Sequence, residues 1–280
     1  MIKEKLQKGL PADLLDKFHI MVDQYEDFID NKIRVLIVTC LPNDDNVQHL
    51  NDGGWKKFDL IVFSSFWQQS IYKVLFGIPY SISTVVRDSY DTLYKVNEDD
   101  PKIRILYNAG PHDGLELLFV VLKNMETDWP HVELDVLSNI KGSNIEELEE
   151  LIEKSNNINL LESEKDLRSY NLFVLPGISP LSNSSTLLKA LSSGLVCVHS
   201  TNSCLPELSM SVSYMYEHTE DAQAHVARLF LSLREVLDRI DNKDQSIEEM
   251  VELQKKLFTE QNLWSNRKQE WETVLKGLLT

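Results

Sequence analysis

Between residues 103 and 200 the chain alternates short, almost continuously apolar segments with segments of helical periodicity. The apolar segments are IRILYNA, VELDVLSN, INLLES, NLFVLP and LVCVHS, and stretches such as GLELLFVVLKNM lie between them. Ser143 and Glu146, at capping-box spacing, predict the start of one of these helices. Strands that are apolar on both faces are typical of a parallel sheet covered by helices. The alternation therefore predicts a doubly wound α/β domain.

The first hundred residues carry a less regular version of this pattern. Apolar side chains recur at helical spacing over residues 12–29, which predicts an amphipathic helix there. The β-branched segments 33–39 and 59–65 predict two strands joined by a turn-rich loop. We expect a helix at 66–75 and a short strand within 77–86. After residue 200, helical periodicity predicts three more helices, at residues 219–239, 245–258 and 263–279.

The length and composition exclude several classes of protein. A chain of 280 residues has room for one large or two small domains. None of its segments is apolar for long enough to cross a bilayer. The N-terminal stretch MIKEKLQKGL lacks the apolar core of a secretory signal. We therefore expect a cytoplasmic protein without a membrane partner.

The net charge and the cysteine content bear on nucleic-acid binding, disulfide formation and zinc binding. The formal net charge is −16 at pH 7, and a field of this sign repels phosphate, so any contact with DNA would have to be local. The cysteines, Cys40, Cys197 and Cys204, form no CxxC motif and have no histidine at ligand spacing. This pattern argues against a disulfide framework and a structural zinc site, and it predicts buried thiols.

Polar loops follow several of the predicted strands. They are YNAGPHDG (107–114), LSNIKGSN (137–144) and PGISPLSNSS (176–185), and the last leads into a helix whose first N–H groups can bind a phosphate. Ligands of doubly wound sheets bind outside the carboxyl ends of the strands. The chain has neither GxGxxG nor GxxxxGK[ST], which counts against a dinucleotide dehydrogenase and a P-loop protein. The loops therefore predict an anion or nucleotide site.

Longer stretches of the chain carry a family resemblance. They are IRILYNAGPHDGLELL, LDVLSN, NLFVLPGISPLSNSSTLLKALSSGLVCVHSTNSCLPEL and NLWSNRKQEWETVL. In this order they resemble the C-terminal half of a retaining, nucleotide-sugar-dependent glycosyltransferase of the GT-B fold, family 4-like. FSSFWQQSIYKVLFGIP resembles an element of a compact branch found in tailed bacteriophages.

The resemblance implies a GT-B-like α/β architecture. It places a reduced acceptor-side α/β domain at residues 1–100 and a doubly wound, Rossmann-type nucleotide-sugar-binding domain at residues 101–262. A C-terminal helix at residues 263–280 would cross back to the first domain.

The family's donor-site motifs are altered in this chain. A basic residue in a P-H-R-G-L context normally neutralises the donor diphosphate, and Asp113 stands in its place. Two glutamates of the family contact the transferred sugar and the nucleotide ribose, and their places hold Leu181 and Lys189. Leucine can neither accept a hydrogen bond from a sugar hydroxyl nor stabilise a developing positive charge. The resemblance therefore leaves open whether the protein is an enzyme, and no catalytic residue and no metal ligand is assigned.

The candidate substrate-binding residues lie in the polar loops and at the helices that follow them. They are His112, Gly114, Ser138, Asn183, Ser184, Ser185, Lys189 and Glu207.

Several of these assignments have a structural alternative. Lys189 could neutralise a phosphate together with the N–H groups at the start of its helix, or it could point into solvent. His112 could contact sugar or phosphate, or it could belong to a hydrogen-bonded turn. Glu207 could contact the donor, or it could be a first-turn acid favoured by the helix dipole. For His199 and His218 we expect structural roles.

Three functions are compatible with these observations. The first is transfer of a sugar from a nucleoside-diphosphate sugar to a hydroxyl acceptor, such as a modified DNA base or a glycan, with the nucleotide sugar as co-substrate and no cofactor. The second is a catalytically inactive relative that acts as a binding or regulatory subunit beside an active glycosyltransferase, or as a homodimer. The third is a structural or host-interaction module that has reused the fold.

Overall fold

The structure is a computed structural model that describes residues 2–89, 102–137, 155, 157–161 and 166–280. The chain divides into two units, one formed by Met1–Asp91 with Glu260–Thr280 and the other by Thr92–Thr259. The helix predicted after Ser143 lies outside the described residues.

Each unit is built around one parallel sheet. In chain order, the strands are β1 (Phe18–Val22), β2 (Ile33–Val38), β3 (Leu60–Phe63), β4 (Ser83–Val85), β5 (Ile103–Tyr107), β6 (Val132–Leu137), β7 (Ile158–Leu161), β8 (Leu172–Leu175), β9 (Val196–Ser200) and β10 (Tyr214–Tyr216). The α-helices are α1 (Ile2–Gly9), α2 (Ala12–Leu15), α3 (Phe66–Phe76), α4 (Leu115–Met125), α5 (Ser185–Ser192), α6 (Leu205–Leu208), α7 (Ala222–Asp241), α8 (Gln245–Asn262) and α9 (Trp264–Gly277). Segments of 3-10 helix lie at Asp45–Lys57, Tyr80–Ile82, Pro111–Asp113 and Leu167–Ser169.

The helix predicted over residues 12–29 is wrong beyond its first turn. Helix α2 ends at Leu15, and the chain then enters β1, which pairs in parallel with β2. The four residues from Phe18 to Met21 are all buried, and a strand enclosed on both faces can bury consecutive side chains in this way. The sequence of this segment fits both a buried strand, because it is continuously apolar, and a helix, because its apolar residues recur at helical spacing. The pairing with β2 decides in favour of the strand.

The sheet of the first unit has the strand order β1-β2-β3-β4. Side chains alternate between its faces, so Val35 packs in one cluster and Leu36 in the other. The first cluster includes Leu6 of α1 and the fully enclosed Trp271 of α9. The second includes Tyr72 of α3. Helix α9 therefore contributes to the core of the N-terminal sheet.

The sheet of the second unit has the strand order β10-β9-β8-β5-β6-β7, with parallel neighbours throughout. In chain order within the unit this is the Rossmann arrangement, in which the order of the strands reverses beside the first strand. The predicted doubly wound, Rossmann-type α/β domain is confirmed. Strand β10 and helix α6 were not predicted, because elements of three and four residues are too short to show a period.

Helices cover the second sheet and fix the elements around its reversal. Leu118 of α4 and Leu229 of α7 are buried in one cluster with Ile105 of β5. Helix α5 packs against β8 and β9. Gln254 of α8 is fully buried and donates to the carbonyl oxygen of Leu191 at the end of α5, at 2.8 Å. These contacts fix α5 against the sheet. No helix in the described part of the chain has the length and apolarity to cross a bilayer.

Candidate functional site

The order of the second sheet reverses between β5 and β8, which are direct neighbours. The crevice outside the carboxyl ends of two such strands is where doubly wound sheets bind ligands. Three segments meet this edge: the β5 loop (residues 108–114), the β8 loop (residues 176–184) and the β9 loop (residues 201–204). The first two contain four of the eight residues that the sequence predicted, namely His112, Gly114, Asn183 and Ser184.

The β5 loop is a closed turn whose central acid is bonded to the loop itself. Tyr107 Oη donates to the Gly110 carbonyl oxygen at 2.6 Å. The Gly110 N–H donates to Asp113 Oδ2 at 3.0 Å, and the Asp113 N–H donates back to the Gly110 oxygen at 3.0 Å. Burial raises the pKa of Asp113. The Asp113 carboxyl group therefore stabilises the turn, while His112 beside it is exposed.

Gly114 permits the close approach of the β5 and β8 loops. Its φ is +102°, a conformation that residues with a Cβ rarely adopt. A Cβ at this position would lie 2.6 Å from the Cβ of Pro176. Helix α4 begins directly after Gly114, so its first N–H groups, which have no intrahelical acceptor, lie at the same edge.

The β5 and β8 loops are also hydrogen-bonded to each other. The Gly177 N–H donates to the Asp113 carbonyl oxygen at 3.0 Å. Ser179 Oγ donates to the His112 carbonyl oxygen at 3.3 Å. The structure thus brings His112 and Gly114 together with the segment that leads into α5.

At the start of α5, the predicted residue Ser184 caps the helix, and Asn183 bonds to this cap residue. Ser184 Oγ accepts from the Leu187 N–H at 3.3 Å, and the Ser184 N–H donates to Asn183 Oδ1 at 2.9 Å. Ser184 is buried, whereas Ser185 is exposed. In the described part of the chain, no acceptor is found for the N–H groups of Ser185 and Thr186. These N–H groups form the positive end of the helix dipole.

Lys189 and Leu181 lie on either side of this helix start. Lys189 follows Ser185 by four residues, so both lie on one face of α5, and Lys189 is half-buried. Leu181 is also half-buried, and its N–H donates to Ser203 Oγ at 2.9 Å. A leucine side chain offers this edge no hydrogen-bonding group.

The remaining predicted residues lie elsewhere or outside the described part of the chain. Glu207 is half-buried in α6, which follows the β9 loop. Burial, together with the negative charge of Glu207, raises the pKa of Cys204 to about 12. Ser138 is not among the described residues. Where the chain is described, no cluster of three or more histidine, cysteine or acidic residues could hold a metal ion.

Of the histidines near this edge, His199 is hydrogen-bonded through both ring nitrogens. His199 is fully buried, its Nδ1 lies 2.8 Å from the Ser200 carbonyl oxygen, and its Nε2 lies 2.8 Å from Ser213 Oγ. Burial lowers the pKa of His199 to about 4, so the ring is neutral at pH 7. The predicted structural role of His199 is confirmed. The ring of His218 lies 5.5 Å from that of the buried His225, centroid to centroid.

Sequence reasoning missed a set of side chains that anchor the β8 loop. Tyr216 Oη donates to the Pro176 carbonyl oxygen at 3.1 Å and contacts His225 Nε2 at 3.0 Å. Ser200, Asn202 and Ser203 bond to the same loop from the end of β9. The segment STNS is polar and follows a predicted strand at the same edge, so the rule that selected the other loops also applied to it.

A cavity of about 140 Å³ lies away from this edge. It is lined by the apolar side chains of Phe119, Trp129 and Ile158 and lies near the amino ends of β6 and β7. The polar groups described above are not among its lining residues. The switch point is therefore the better candidate for a ligand site, because its hydrogen-bonding groups converge there.

The sequence matches no model of a known protein family, and no curated protein matches it. Solved structures do match. A glycosyltransferase from Rickettsia africae has a TM-score of 0.75 at 11% identity, over 100% of this chain and 80% of that protein. HepE from Anabaena, solved with UDP, has a TM-score of 0.72 at 13% identity, over 88% of this chain and 72% of that protein.

The pneumococcal O-GlcNAc transferase GtfA, solved with UDP and GlcNAc, has a TM-score of 0.67 at 14% identity. The match covers 89% of this chain and 53% of GtfA, so this chain spans about half the length of that protein. At such identities the likeness shows the fold alone. The chain has a mixed α/β fold with Rossmann-like parallel sheets, as in the GT-B glycosyltransferases.

Proposed function

We propose that this protein transfers a sugar from a nucleoside-diphosphate sugar to a hydroxyl acceptor, and that the reaction needs no cofactor. The observation that carries the proposal is the switch point of the second sheet, where the β5 and β8 loops are bonded together and α5 begins with N–H groups that have no acceptor in the described structure. The complexes of HepE and GtfA with UDP support a nucleotide sugar as the donor.

In this proposal the start of α5 binds the diphosphate. The N–H groups of Ser185 and Thr186 supply hydrogen bonds, and the ammonium of Lys189 supplies a positive charge one turn further along the same face. This charge takes over the role of the basic residue that is absent at position 113. His112, Ser138 and Glu207 stay proposed contacts of the sugar or the ribose. Ser184 contributes by capping the helix, and Asn183 contributes by accepting a hydrogen bond from the Ser184 N–H.

The sequence resemblance supports finer proposals. We place the protein in a retaining, family 4-like group of glycosyltransferases and in its bacteriophage branch. The acceptor we propose is a hydroxyl of a modified DNA base or of a glycan, and the proposed location is the host cytoplasm. The formal net charge of −16 favours a glycan, because the field of the whole chain repels a DNA backbone.

One observation favours a second candidate function, that of a catalytically inactive subunit. Leu181 holds the place of an acid that contacts the transferred sugar in the family, and the Asp113 carboxyl is bonded into its own turn. A protein of this kind would bind the donor and act beside an active glycosyltransferase, or pair with a second copy of itself. The solved GtfA/B complex, with a TM-score of 0.67 at 16% identity, supports a companion subunit.

Isothermal titration calorimetry with UDP, GDP and ADP and with their common sugar conjugates tests the donor site. We expect one nucleotide to bind, and we expect Lys189→Glu to weaken its binding at least tenfold, since the change places a negative charge beside the diphosphate. Lys276→Glu is the matched control, because this exposed lysine lies on α9 in the other unit. Failure of every nucleotide to bind at millimolar concentration refutes the donor site.

The two candidate functions differ in whether the bound nucleotide sugar reacts. We therefore measure the release of nucleoside diphosphate from the nucleotide sugar that binds. An active transferase releases it faster when a glycan or a DNA with hydroxymethylated bases is added. Tight donor binding without release, with either acceptor, supports the inactive subunit. For a DNA acceptor, binding to duplex must also weaken steeply with salt, because phosphate contacts release counterions.

A further inference from the structure

We propose that Asn202 is a positioning residue of this site, which holds the β8 loop in the shape that binds an anionic donor. The inference rests on the proposed function and adds to it a residue that the family motifs do not mark. Asn202 lies in the β9 loop and is half-buried.

The side-chain amide of Asn202 bonds to two consecutive carbonyl groups of the β8 loop. Its Nδ2 donates to the Gly177 oxygen at 2.8 Å and to the Ile178 oxygen at 3.2 Å. Ser200 Oγ also donates to the Gly177 oxygen, at 3.1 Å, and accepts from the Asn202 N–H at 3.4 Å. Ser200 at the end of β9 and Asn202 of the β9 loop therefore bond to the carbonyl groups at the centre of the β8 loop.

The β8 loop needs this external support because its own backbone is unusual. Gly177 has a φ of +59°, and a Cβ there would lie 2.7 Å from Leu205 Cδ1 and 3.1 Å from Ser200 Oγ. Its neighbour Ile178 is exposed and so adds little packing to hold the loop in place. Hydrogen bonds from the end of β9 and the β9 loop, together with those from the β5 loop and from Tyr216, therefore hold its shape.

The bonding pattern also sets the electrostatic character of the loop. Carbonyl oxygens repel a diphosphate, and those of Gly177 and Ile178 are turned to Asn202. No acceptor is found among the described residues for the N–H groups of Ile178 and Ser179. N–H groups attract an anion. Because Asn202 binds the carbonyl oxygens, the β8 loop presents N–H donors at the edge where α5 begins. Such donors fit a negatively charged ligand.

Calorimetric titration with UDP as the probe tests the role of Asn202. Asn202→Ala removes two hydrogen bonds, so we expect UDP to bind about tenfold more weakly. Asn202→Asp keeps the size of the side chain but turns an oxygen toward the two carbonyl groups, and we expect a larger loss than in Asn202→Ala. A residue that acts only by packing gives the opposite order. Asn242→Ala is the control, because Asn242 donates to a single carbonyl oxygen at the far end of α7, and it should bind UDP like the wild type.

Hydrogen exchange in the free protein tests the positioning without a ligand. The N–H groups of Gly177 and Leu181 are bonded in the structure, so peptides that cover the β8 loop should exchange at least fivefold faster in Asn202→Ala and not in Asn242→Ala. Unchanged exchange overturns the inference, and so does wild-type UDP affinity in both Asn202 variants. If the wild type binds no nucleotide while the exchange rises, the donor role fails and the proposed function fails with it. If UDP binds and Asn202 has no effect, only this inference fails.

Discussion

Comparison of Gly114→Ala with Gly77→Ala should separate two costs in the free energy of unfolding. One is the crowding between the β5 and β8 loops, and the other is the cost of a Cβ at positive φ. Gly114 has a φ of +102° and packs against Pro176. Gly77, which ends α3, has a φ of +71° and nothing within 4 Å of its virtual Cβ. At both glycines, an added Cβ would be strained by the positive φ. Only at Gly114 would it also be crowded by a neighbouring residue.

The magnitude follows from these two contributions. A Cβ in the left-handed region costs about 1–2 kcal/mol, and both variants bear this cost. At Gly114 the Cβ would also lie 2.6 Å from Pro176 Cβ and 3.2 Å from its Cγ, and relief of such crowding costs about 1–3 kcal/mol. We expect Gly114→Ala to lower the free energy of unfolding by about 2–5 kcal/mol and Gly77→Ala by about 1–2 kcal/mol.

Urea unfolding followed by circular dichroism gives the total loss for each variant. Because the two glycines lie in different units, hydrogen exchange of peptides from α4 and from α3 should assign each loss to its own unit. If Gly114→Ala is no more destabilising than Gly77→Ala, the β5 and β8 loops do not approach each other closely. The candidate site that depends on this approach is then refuted.

Three further predictions test other parts of the structure. Trp271→Ala should destabilise the N-terminal unit by about 3–5 kcal/mol, since this side chain is 2% exposed, while Lys276→Ala on the same helix should change stability by less than about 0.5 kcal/mol in urea unfolding. The pKa of His199 is lowered to about 4 in the folded protein, so the unfolded chain takes up the proton first, and stability should fall by up to about 3 kcal/mol as the pH drops from 6.5 to 4. His199→Gln should flatten this pH profile, and an equally steep profile would contradict the buried neutral ring. Cys197 and Cys204 are fully buried, and the pKa of Cys204 is raised to about 12, so a thiol reagent at neutral pH should label neither before the protein unfolds.

The sequence predicts those features of the candidate site whose signal is local. Ser184 precedes an apolar-periodic segment, and its capping of α5 follows from that position alone. The β5 and β8 loops could be placed at one edge because strands of a parallel sheet all end on the same side. Asp113 shows the limit, since the sequence places an acid after His112 but does not reveal that its carboxyl is bonded to the Gly110 N–H.

The sequence by itself determined the class of fold of the second unit. Its strands are apolar at nearly every position, and such strands are stable only when both faces of the sheet are covered, so their alternation with helices leads to a doubly wound sheet. Helix α5 and its cap follow from local preference as well. These features depend on residues that are close in the chain.

Tertiary structure decided the features that depend on distant residues. The segment Phe18–Val22 is a strand because β2 supplies its hydrogen-bonding partner, against a helical period that the sequence alone could not reject. The shape of the β8 loop is set by Asn202 and Tyr216, which lie 25 and 40 residues from the carbonyl groups they hold. Hydrogen bonds over such separations leave no periodic trace in a sequence, because only the folded sheet brings their donors and acceptors together.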